Sequence, residues 1–72
     1  MNDIVVIREF LGPDRWGRFI VWEGDDERKA LDVARRMQAK HAIVPVQHLV
    51  CRPDGKTIVV GGTPSGVTET TL

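Results

Sequence analysis

Residues 4–11 form a run rich in β-branched side chains that stops at Gly12-Pro13-Asp14. Proline presets φ there and aspartate bonds its own backbone, so the run reads as a strand ended by a turn. Arg18-Phe19-Ile20-Val21-Trp22-Glu23 is a second β-rich run, close enough to pair with the first as an antiparallel hairpin. Gly24-Asp25-Asp26-Glu27 then sets carboxylates where a helix would begin, one to cap and the others to complement the positive end of the macrodipole. The spacing predicts a helix over residues 26–41. Glu27, Ala30, Leu31, Ala34, Met37, Gln38 and His41 recur at three- and four-residue steps, and Arg28, Asp32, Arg35, Arg36 and Ala39 fall on the far side. The expected anchors of the buried stripe are Leu31, Ala34 and Met37.

A third strand is expected over residues 43–51, with Pro45 confining its beginning to an edge or bulge because proline lacks an amide hydrogen. Arg52-Pro53-Asp54-Gly55-Lys56 fits a type I turn with glycine at positive φ, leading to a fourth strand over residues 57–60. The remaining residues, 63–72, have turn composition and few apolar side chains, and read as a flexible tail. The fold expected is α+β: a ββαββ order in one domain over residues 1–62, with a four-stranded, mainly antiparallel sheet carrying one helix on one face.

Alternation in the strands gives both sheet faces apolar groups. Val5 and Ile7 oppose Ile4, Val6 and Phe10; Ile43 and Leu49 oppose Val44, Val46 and Val50. On the second strand, simple alternation puts Trp22 on the face of Ile20, with Phe19 and Val21 opposite. One helix covers one face, so the other is expected to meet a partner.

Length and charge narrow the classes. Seventy-two residues make one small domain that buries about 60% of its unfolded surface, leaving little room for a deep pocket. Ten basic residues balance ten acidic ones, which argues against an acidic nucleic-acid mimic and against a strongly basic binder. The lone cysteine, Cys51, suits a reducing cytoplasm, since small domains of oxidising compartments carry several. The apolar run at residues 4–7 is too short for a membrane span or signal peptide, so no membrane contact is expected.

Candidate chemistry is sparse. His41, His48 and Cys51 are the soft metal ligands, and the three-residue step from His48 to Cys51 points them to opposite faces of a strand, so no metal is expected. Asp25, Asp26 and Glu27 are accounted for by helix capping. No glycine-rich phosphate loop precedes a helix, and no nucleophile is paired with a base, so neither a cofactor nor an enzyme is expected. Lys29, Arg36 and Lys40 lie within about 40° of one another around the helix, and this basic stripe could track a phosphate backbone. Asp32 beside it and the neutral net charge favour a solvated face instead. The C-terminal Glu69-Thr70-Thr71-Leu72 formally fits a groove that takes an extended C-terminus.

Trp16-Gly17-Arg18-Phe19, Ala30-Leu31-Asp32-Val33-Ala34-Arg35 and Arg52-Pro53-Asp54-Gly55-Lys56 together resemble short bacterial and phage hairpin-helix-hairpin domains. The order of elements is also similar to some small phage anti-CRISPR proteins. The resemblance implies a small non-enzymatic binder from a mobile element, and the function expected is that of an inhibitor or accessory factor that occludes a surface of a host protein complex. Tryptophan and arginine are frequent binding anchors, so Trp16, Arg18 and Trp22 are expected in or beside the partner surface, with Arg15 and Arg8 on its rim. The partner is a host protein or a second copy of the chain. The alternative is a nucleic-acid accessory protein using Lys29, Arg36 and Lys40.

Overall fold

The computed structural model describes residues 3–11, 17–40, 46–63 and 66–72. Its elements are β1 (Ile4–Phe10), β2 (Arg18–Gly24), α1 (Glu27–Lys40), β3 (Val46–Cys51), β4 (Thr57–Thr63) and β5 (Gly66–Thr71). They form one antiparallel sheet in the order β2-β1-β3-β4-β5, with the helix on one side. The α+β class and the single helix agree with the sequence reading. The sheet has five strands rather than four, because the segment expected to be a tail pairs along β4 from Ile58↔Thr71 to Thr63↔Gly66. Pro45 and the turn at residues 12–14 lie outside the described residues.

Local chemistry explains the boundaries. Asp26 caps the helix: its carboxylate accepts the Lys29 amide at 3.2 Å and its carbonyl accepts the Ala30 amide at 3.0 Å. The β3–β4 turn closes with the Gly55 amide on the Arg52 carbonyl at 3.1 Å, and Gly55 sits at φ +87°, where a Cβ would be strained. Asp54 accepts the Lys56 amide at 3.0 Å, tightening the same turn.

The core lies between helix and sheet, formed by Ile4, Val6, Ala30, Ala34, Val50 and Val60, with Val21, Trp22, Leu31 and Ile58 packed against it. The helix buries Ala30, Ala34 and Gln38, a single row at four-residue steps. Small side chains there let the helix axis approach the strands. Leu31 and Met37, expected as anchors, are only half-buried and flank that row. Leu31→Ala is therefore expected to cost about 1–2 kcal/mol by chemical denaturation, below the range of about 2.7–5 kcal/mol for fully buried leucines. A larger loss would mean that Leu31 is a central packing residue.

Inside this core runs a polar chain. Gln38 and His48 are fully buried. The Gln38 amide nitrogen has two hydrogens and donates to the carbonyls of Val46 at 2.9 Å and Gly62 at 2.8 Å. Its Oε1 must then accept, so the contact of 2.8 Å with His48 Nδ1 assigns the hydrogen to Nδ1. Nε2 is left to accept, and Arg8 Nε approaches it at 3.4 Å while Arg8 Nη2 reaches Met37 Sδ at 3.6 Å. One glutamine thus ties the helix to the start of β3 and the end of β4. No buried side-chain nitrogen or oxygen among the described residues lacks a partner.

Candidate partner-binding face

The sheet face away from the helix is open among the described residues. Strand pairing aligns its side chains in rows: Ile20 beside Ile7, Ile7 beside Leu49, Leu49 beside Val59, and Val59 beside Thr70. An apolar row therefore crosses four strands and ends on threonine. Ile20 is 60% exposed, while Ile7, Leu49 and Val59 are half-buried by their neighbours alone. Val5 and Cys51, half-buried and paired with each other, widen the patch. This is the two-sidedness read from the alternation of β1 and β3.

Polar groups frame one end. Glu9 accepts Arg18 Nε at 2.7 Å through one carboxylate oxygen and Gln47 Nε2 at 2.7 Å through the other. With Phe10, Leu11 and Gly17 these three side chains line a shallow open depression of about 370 Å³. Glu9 thereby holds Arg18 and Gln47 in place beside the apolar row, a fixed polar rim of the kind that orients a partner.

The expected anchor residues fall in different places. Arg18 belongs to this rim. Trp22 does not lie on the open face, because the β1–β2 register slips between Val6 and Ile7 and leaves Val21 as an extra residue. The bulge reverses the alternation: Trp22 pairs with Val6 and packs toward the core, with its indole over Gly24, so that of Ile20 and Trp22 only Ile20 faces the open side. A Cβ at Gly24 would come within 2.6 Å of the indole, so glycine makes room for it. Arg8 also faces the helix, through His48 and Met37, rather than a rim. Arg15 and Trp16 lie outside the described residues. The aromatic pair Phe10 and Phe19, edge to face at 5.9 Å, sits on the helix side of the sheet, with Phe19 52% exposed.

On the helix, Lys29 and Lys40 are exposed, but Arg36 is paired with Asp32 at 3.1 Å. Arg35 grips Glu69 of β5 with two contacts, Nε at 2.8 Å and Nη2 at 3.1 Å. The hydrogen bond and charge of Glu69 raise the Arg35 guanidinium above its ordinary range. His48 and Cys51 lie on opposite faces, as their separation on a strand requires. No cluster of metal-ligating side chains occurs among the described residues. None of their helices is long and apolar enough to cross a membrane.

Sequence reasoning missed Ile20, Leu49 and Val59 as a single row, since lateral alignment depends on register. The class defined by these observations is an α+β domain with, among the described residues, one helix on a five-stranded antiparallel sheet and an apolar face that none of them covers. No protein family, curated protein or solved structure matches the chain.

Proposed function

We propose that this chain is a small non-enzymatic protein-binding module that lays the open face of its sheet against a larger protein. The observation that carries this reading is the row Ile20, Ile7, Leu49 and Val59 on the face opposite the helix. Contiguous apolar surface rimmed by polar groups marks docking sites in small domains, and the Glu9–Arg18–Gln47 cluster supplies such a rim. In the form implied by the sequence resemblance, the partner is a host complex and the effect is inhibition by occlusion. A reducing compartment, the cytoplasm, fits the half-buried free thiol of Cys51 on that face.

The test compares capture by the immobilised wild-type chain with capture by Ile20→Glu and Leu49→Lys. Ile20 is 60% exposed, so Ile20→Glu is expected to leave the melting temperature nearly unchanged, as surface substitutions do. Partner affinity is expected to fall about 100-fold, corresponding to loss of a central anchor worth about 2.7 kcal/mol. Arg28→Glu, on the exposed far side of the helix, should leave it intact. Equal retention by wild type and both open-face variants would refute the assignment. A complex found to consist of two copies of the chain joined through this face would replace the larger protein with a homodimer.

A further inference from the structure

The two edges of the sheet differ in a way that bears on assembly. At the β2 edge the strand is bulged and carries Arg18 and Glu23, features that discourage pairing with another strand. The β5 edge has no bulge, and its one charged residue, Glu69, is paired with Arg35. Its pairing with β4 is continuous, and Gly66–Thr71 contains no lysine, arginine or proline.

Hydrogen-bond alternation shows which groups this edge offers. The Leu72 amide donates to the Thr57 carbonyl at 2.8 Å, one step beyond the Ile58↔Thr71 pair. Antiparallel ladders alternate, so Thr70 and Thr68 aim their backbone groups at β4. Val67, Glu69 and Thr71 aim theirs outward.

We propose that β5 pairs with β5 of a second copy of this chain, antiparallel about a two-fold axis at Glu69. That register places Val67 opposite Thr71 of the second copy and Thr68 opposite Thr70, so every flanking pair is β-branched, a combination that stabilises sheets. The segment Val67-Thr68-Glu69-Thr70-Thr71 is close to palindromic in this chemical sense. The central pair sets Glu69 against its symmetry mate, a repulsion offset because each carboxylate is already forked by Arg35. Two guanidinium and two carboxylate groups would then share the helix side of the joint. The open face stays uncovered in such a dimer, because the new strands add beside the sheet and not over it. This inference does not depend on what that face binds.

A contact of one short edge is smaller than the standard interface of about 1,600 Å², so association is expected to be weak and visible only at high protein concentration. Sedimentation equilibrium across a concentration series into the millimolar range should show the mass rising from 8.1 kDa toward about twice that value. Amide exchange at 67, 69 and 71 should slow as the dimer forms, while 68 and 70 stay protected throughout. Val67→Pro removes an outward amide without touching the β4 ladder, and Thr71→Lys adds an edge charge; both should hold the chain at monomer mass, whereas Ile20→Glu should still dimerise. A wild-type chain that stays monomeric at millimolar concentration would overturn the proposal. So would a dimer that survives both edge variants, or one abolished by Ile20→Glu with no change in exchange at 67, 69 and 71.

Discussion

Replacing Gln38 with alanine is expected to lower the unfolding free energy by about 3 kcal/mol or more, a large part of the total for a domain this small. The side chain makes two buried contacts, to the Val46 carbonyl and His48 Nδ1, and a part-buried one to the Gly62 carbonyl. Truncation leaves two carbonyls and one ring N–H without this partner, each costing about 1–3 kcal/mol when unsatisfied, and adds a cavity. The costs are not additive, because the three groups share one partner and can relax together. Urea denaturation measures the loss directly. A change below about 1 kcal/mol would mean that the polar chain is not what fastens the helix to β3 and β4. The chain also has a structural signature: the Nδ1–H tautomer of His48 should be visible in its ring nitrogen chemical shifts, and Gln38→Ala should remove the preference.

Gly62→Ala is expected to detach β5 from the sheet. Gly62 lies at φ +96°, and a Cβ there would fall 2.1 Å from the Gly66 carbonyl oxygen, a backbone atom that cannot swing aside. Strain of about 1–3 kcal/mol from the left-handed conformation adds to the collision. The neighbouring Gly61→Ala is the control, since its Cβ would meet only Thr68 Oγ1 at 3.7 Å, an ordinary contact. Amide exchange of Thr68 and Thr70 should accelerate strongly in Gly62→Ala and little in Gly61→Ala. Similar behaviour of the two variants would show that the close approach at Gly62 does not hold the hairpin.

The helix was legible because several local signals agree: the Asp26 cap, the acidic first turn and a three-four apolar spacing. The two-sided strands were legible because period two survives wherever register is regular, as in β1 and β3. Trp22 was misplaced because one inserted residue reverses every side chain beyond it, and no turn residue or glycine at Val21 announces a bulge. β5 was missed because its residues are mostly polar and all exposed; its signal was threonine and valine content after a glycine-rich turn, which composition alone reads as tail. On the helix, the heaviest apolar residues looked like anchors. Of the three expected anchors Ala34 is buried, beside Ala30 of the same stripe, because close approach to the sheet selects small side chains; Gln38 could be buried because the sheet presents two carbonyls and a histidine to it.

The open face of the sheet carries the proposed function, and site-specific photo-crosslinking in living cells addresses that face directly. A photoreactive residue is placed singly at positions 20 and 59 on the open face and at positions 28 and 36 on the exposed side of the helix, and adducts are resolved by mass. Crosslinks to one larger protein from positions 20 and 59, with none from 28 and 36, are the predicted result. Crosslinks confined to positions 28 and 36, or none from any position, would contradict it.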